Sequence, residues 1–81
     1  MSIRVLFFAS LADIVGNREV RLNAGDFTDL NSVYNRFAED FPKLETYRAS
    51  ALFALNSEFA RPDAPVHDGD EIAFFPPVSG G

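Results

Sequence analysis

Eighty-one residues, 47% of them hydrophobic and 23% charged, describe one small globular domain with a single core and exclude a disordered chain. A net charge of -5, with Lys43 as the sole lysine, argues against nucleic acid, whose phosphates call for clustered Lys and Arg. The lack of cysteine removes disulfides, thiolate metal sites and any Cys nucleophile, and is compatible with a cytoplasmic protein.

"SIRVLFFA" (2–9) is β-branched and aromatic, apolar on both faces from Val5 onward. That is the pattern of a central strand covered on both sides, often a parallel one. "RVLFFASLA" (4–12) also has the outline of a short signal peptide. The run is short, however, a single charge precedes it, and cleavage would remove the most apolar strand. No run is long enough to span a membrane, so a cytoplasmic location is expected. "SLADIVGN" predicts a short helix capped by Ser10, with Asp13 three residues on and Gly16 closing it. "REVRLN" (18–23) alternates as a half-exposed strand, with Val20 and Leu22 on one face.

The strongest helix pattern is "TDLNSVYNRFAEDF" (28–41). Leu30, Val33, Tyr34, Phe37, Ala38 and Phe41 form one apolar stripe. Thr28 or Asp29 can cap its start, and Pro42 stops it. Residues 43–50 leave their state open, a helical turn around Leu44 and Tyr47 being one reading. "ALFAL" (51–55) predicts a strand that turns at Asn56-Ser57 into a short "EFA" strand (58–60). "RPDAPVHDGD" (61–70) reads as a loop with a tight turn at Asp68-Gly69. "EIAFF" (71–75) is the last strand, ended by Pro76-Pro77.

One main helix on one face of a mixed sheet is an α+β architecture. Placing the first and last strands side by side at the centre, parallel, buries the two most apolar segments. That arrangement is a ubiquitin-like β-grasp. It divides the chain into a domain at 1–75 and an extended, flexible Gly-Gly tail at 76–81. Strand alternation puts Ile3, Val5, Phe7, Ile72 and Phe74 in the core and leaves Arg4, Leu6, Phe8, Glu71, Ala73 and Phe75 on the other face. Phe59 on the adjoining hairpin can join them. Nine phenylalanines are many for so small a core, and an exposed patch of large apolar side chains marks a partner surface. Leu6, Phe8, Phe59 and Phe75 are therefore the expected partner interface.

The chain closes on "FFPPVSGG" (74–81). Pro76 and Pro77 fix φ, lack an N–H and project the remaining residues away from the sheet. Val78, Ser79, Gly80 and Gly81 can then reach roughly 13 Å, at about 3.3 Å per residue. Two glycines make a thread slim enough for a narrow channel and leave the last carbonyl uncovered. A carboxylate is a poor electrophile and must be activated, for example as an acyl-adenylate, before a nucleophile can displace the leaving group.

"VLFFASLADIVG" and "DGDEIAFFPPVSGG", with the "ALN" strand before the hairpin, closely resemble the small subunits of molybdopterin synthase, which are ubiquitin-like sulfur carriers. The resemblance covers essentially the whole chain. It implies that Gly81 is adenylated with ATP by a ubiquitin-activating-like enzyme and converted to a thiocarboxylate by a sulfur donor protein. It further implies that Pro76, Pro77, Val78, Ser79, Gly80 and Gly81 enter the active site of a large subunit. There the sulfur passes to cyclic pyranopterin monophosphate, and two transfers make the dithiolene that binds molybdenum. The family's synthase is a heterotetramer of two small and two large subunits, and its hydrophobic contact residues match Phe8, Phe59 and Phe75. No permanently bound cofactor, metal, nucleic acid or membrane partner is implied. The catalytic groups on the pterin side would come from the partner, because the chain carries no base, metal cluster or nucleophile triad of its own.

Two departures from the family pattern are His67 before "DGDE" and the bulky Phe53. His67 beside a turn reads as a surface residue, and Asp68, Asp70 and Glu71 as a solvated turn without the ligand spacing of a calcium loop. Thiamin-pathway carriers and the eukaryotic tRNA-thiolation modifier also end in Gly-Gly. A protein modifier joined to lysines, or a β-grasp interaction module with an idle tail, would fit the same architecture.

Overall fold

Alternating apolar and polar residues build five strands around one long helix. The computed structural model describes residues 1–77. The elements in chain order are β1 (Ser2–Phe7), α1 (Ala9–Val15), β2 (Glu19–Asn23), a 3-10 turn (Ala24–Asp26), α2 (Leu30–Asp40), α3 (Lys43–Tyr47), β3 (Leu52–Leu55), β4 (Glu58–Ala60) and β5 (Glu71–Phe75). The strands lie in the order β2-β1-β5-β3-β4. β1 and β5 run parallel at the centre, in the register Val5↔Ile72 and Phe7↔Phe74, and the other pairings are antiparallel. This is the β-grasp that the apolar first and last strands call for.

The apolar stripe of α2 lies on the core side of the sheet. Phe7 meets Phe37 edge-on at 4.7 Å, and Tyr34 meets Phe74 edge-on at 5.1 Å. Ile3, Val5, Leu30, Val33, Tyr34, Leu44, Ile72 and Phe74 are fully buried. Phe53, which departs from the family pattern, is a core residue stacked on Tyr34 at 5.3 Å. Tyr34 donates from its hydroxyl to the Leu44 carbonyl at 2.7 Å, so its one polar atom is satisfied inside the core. The open segment after Pro42 thus resolves into the short helix α3, anchored by Leu44.

Asp29, one of the two caps expected for α2, takes the role. Its carboxylate accepts from the Ser32 amide at 2.8 Å, and Ser32 Oγ accepts from the Asp29 amide at 3.2 Å, a reciprocal capping box. The expectation for Ser10 is corrected. α1 opens two residues earlier, with Phe8 at the N-cap position and no side-chain cap. The chain leaves β1 through Ala9 at φ 50, and that left-handed kink starts the helix before the serine is reached. Gly16 closes α1 at φ 82, as expected.

The β3–β4 hairpin turns on Asn56 and Ser57, both at positive φ, the geometry of a two-residue turn that matches strand twist. The Asn56 side chain accepts from the Glu71 amide at 2.9 Å and donates to Asp70 at 3.0 Å, tying this hairpin to the start of β5. Gly69 takes φ 86 in the tight turn expected there, and its amide donates to the Ser2 carbonyl.

Candidate partner-docking face and carrier tail

Helices cover one side of the sheet, and the other side holds the residues that alternation sends away from the core. Of the nine phenylalanines, Phe7, Phe37, Phe53 and Phe74 are buried, and Phe27 and Phe41 pack against the core from its edge. Phe8, Phe59 and Phe75 remain, and they meet on the uncovered face. Phe8 stacks on Phe75 with ring centroids 4.5 Å apart and planes 11° apart. Phe59 approaches Phe75 edge-on at 6.2 Å. Phe59 is 77% exposed and Phe8 41%, while Leu6 and Phe75 are half-buried. The four expected interface residues therefore form one surface.

Leu52 was missed by sequence reasoning. It is exposed and pairs with Phe75 across β3 and β5, which puts it on the same face. The signal was present in the alternation of "ALFAL", once Phe53 is recognised as the core residue of that strand. Beyond the patch, Arg4 bridges Glu19 at 3.0 Å and Glu71 at 2.9 Å. The hydrogen bond from Arg4 holds the Glu19 carboxyl below the usual carboxylate range.

The last strand ends at a member of this patch. β5 ends at Phe75, and Pro76 and Pro77 come after it without regular structure. Phe75 is thus both a member of the aromatic patch and the root of the tail. Val78, Ser79, Gly80 and Gly81 lie outside the described residues. An open depression of about 550 Å³ lies along α2, lined by Asp26, Phe27, Ser32, Asn35, Ala38 and Glu39. Its lining mixes polar and apolar groups in about equal measure, and it sits on the side of the sheet opposite the patch.

His67 and the neighbouring acids serve the loop. His67 is exposed, with Nδ1 3.9 Å from Asp70 Oδ2. Asp70 accepts from the His67 amide at 2.7 Å, which folds the turn around its own carboxylate. Among the described residues no three His, Cys, Asp or Glu side chains are grouped so as to hold a metal ion. Nor, among them, is any helix long and apolar enough to cross a membrane.

The ThiS family model matches residues 5–81. The chain belongs to the ThiS family. Among known relatives, the molybdopterin synthase sulfur carrier subunit of Escherichia coli (strain K12) is 37% identical over 81 residues, covering 98% of this chain and 99% of that protein. The molybdopterin synthase sulfur carrier subunit of Chlamydomonas reinhardtii is 35% identical, with both chains covered completely. Among solved structures, SAMP1 from Haloferax volcanii superposes with a TM-score of 0.80 at 30% identity, and each chain is covered in full. ThiS-family membership thus agrees with the β-grasp and with the full-length resemblance drawn from the "DGDE" and "FFPP" segments.

Proposed function

We propose that this ThiS-family chain is the sulfur-carrier subunit of a molybdopterin synthase. The observation that carries the proposal is its full-length similarity to sulfur carrier subunits, within a family match that runs to Gly81. The Gly81 carboxylate attacks the α-phosphorus of ATP on a ubiquitin-activating-like enzyme, releasing pyrophosphate and leaving an acyl-adenylate. The terminal sulfur of a persulfide on a donor protein then displaces AMP to give an acyl disulfide, and a second thiol attacks the donor's own sulfur, taking it as a disulfide and releasing the thiocarboxylate on Gly81. Gly80 and Gly81 present no side chain over the reacting carbonyl.

The aromatic face docks the large subunit, and Pro76 to Gly81 thread into that subunit's active site. Sulfur passes there to cyclic pyranopterin monophosphate, two transfers completing the dithiolene, in an assembly of two small and two large subunits. ATP belongs to the activating enzyme, and this chain holds no cofactor of its own. The cycle runs in the cytoplasm. Support for the division of labour comes from the position of Phe75, which joins the patch directly to the tail.

Intact mass with fragmentation of the C-terminal peptide tests the proposal on protein from cells whose sulfur pathway works. A sulfur-for-oxygen increase located on Gly81 is expected. Location is essential because oxidation of Met1 gives nearly the same increment. A Gly81 that stays unmodified and inert toward ATP and an activating enzyme of this family would overturn it. A modifier reading has one observation in its favour, the similarity to SAMP1. It predicts a ladder of isopeptide-linked conjugates on a denaturing gel, which a carrier does not produce.

A further inference from the structure

A residue other than glycine at positive φ is strained, because its Cβ crowds the following carbonyl, and the strain persists only where the surrounding structure fixes it. Asn56 and Ser57 hold positive φ to close a hairpin, whereas Ala9, at φ 50, holds it between β1 and α1. The kink leaves Phe8 beside β5. Phe8 lies beyond the end of β1 and keeps an extended backbone, φ -119 and ψ 149. Its amide donates to the Phe74 carbonyl at 3.2 Å, and its carbonyl accepts from the Leu11 amide at 3.1 Å. Its ring lies flat on Phe75, with 4.5 Å between centroids and 11° between planes. Main chain and ring together hold Phe8 to the end of β5, and α1 starts immediately after it.

We infer that Phe8 is a positioning residue for the C-terminal tail, held in that role by the left-handed Ala9. The inference rests on the carrier function proposed above and adds what aims the carrier's tail. Phe75 precedes Pro76, and a residue before proline is confined to extended backbone. Pro76 and Pro77 then fix two successive φ angles, so the direction of the chain at Pro77 follows from the orientation of Phe75. On its β3 side Phe75 is held by pairing with Leu52. On its β1 side the strand partner has run out, because β1 ends at Phe7 opposite Phe74, and the Phe8 ring supplies the missing restraint. A flat aromatic stack fixes the plane of the Phe75 ring, which an aliphatic side chain of similar size does not. A tail whose root is preset meets the large subunit's active site with less ordering left to do.

The stack and the apolar area of Phe8 can be separated. Phe8→Leu keeps an apolar side chain and removes the stack, whereas Phe8→Tyr keeps both. In the free chain, Phe8→Leu is expected to speed amide hydrogen exchange at Phe75 by about tenfold while Val5 and Ile72 stay protected. With thiocarboxylated chain at saturating large subunit, single-turnover sulfur transfer is expected to slow by about tenfold, while the dissociation constant read by calorimetry rises by about threefold or less. Phe8→Tyr keeps the wild-type exchange and rate. Ala9→Gly relieves the strain, so it is expected to keep its thermal midpoint and still to speed exchange at Phe75 and slow transfer. A stable fold with a slower rate is a combination that a purely structural kink does not produce. Should Phe8→Leu fail to fold, Ala9→Gly carries the test. A loss of affinity with no change in exchange at Phe75 or in the rate at saturation would leave Phe8 a docking contact only, and the inference falls alone. Wild-type chain whose Gly81 is never thiocarboxylated overturns the carrier reading and this inference with it. Exchange at Phe75, read on the free chain, tells the two failures apart.

Discussion

Tyr34→Phe deletes one oxygen from the centre of the core and nothing else. The ring is fully buried, stacked on Phe53 and edge-on to Phe74, and these contacts survive the change. What is lost is the bond to the Leu44 carbonyl at 2.7 Å, which leaves a buried acceptor unpaired at a cost of about 1–2 kcal/mol near neutral pH. For a domain of this size that lowers the thermal midpoint by about 8 °C. Burial also pushes the Tyr34 hydroxyl up to about 12, from 10.0. The folded state thus holds this proton more tightly than the unfolded chain does. The contribution is complete below pH 10 and is lost as pH rises toward 12, by about 1.4 kcal/mol for each pH unit. The variant has no proton to lose there, so the two stability curves should converge and cross near pH 11. Urea unfolding of both proteins at pH 7 and at steps from 10 to 12 measures this. A stability difference that stays constant through pH 12, or no difference at pH 7, would refute the account of Tyr34 as a satisfied core donor.

Asp29→Ala removes the acceptor for the Ser32 amide and should cost about 1 kcal/mol, read as a lower urea midpoint with an unchanged slope. Phe75→Glu should give a natively folded monomer whose affinity for the large subunit drops by about 2 kcal/mol or more, checked by circular dichroism and calorimetry. An unfolded chain would show instead that the ring belongs to the core. Deleting Gly81 should abolish thiocarboxylate formation and dithiolene synthesis while binding through the aromatic patch is largely retained. Loss of that binding would place the affinity in the tail rather than on the sheet.

Strand alternation made most of the sheet legible, because a one-residue shift would expose Ile3, Val5 and Phe7 together. The same parity separated Phe8 and Phe75 from the core phenylalanines. α3 was harder to see, since five residues hold barely more than one turn and Leu44 alone marks its buried side. Ser10 misled because its side chain suits a cap, whereas the start of α1 was decided by the backbone kink at Ala9. The place of Leu52 beside Phe75 depends on how β3 meets β5, a long-range pairing that no local pattern encodes.

The pairing of β1 with β5 has a consequence for the order in which the molecule comes into being. Arg4 and Glu71 are 67 positions apart in sequence, and β5 fills the slot between β1 and β3. A nascent chain therefore holds the two sides of its sheet with no middle until the last strand leaves the ribosome, and closure must wait for the most distant contact. A polypeptide broken off before Glu71 therefore cannot complete its sheet.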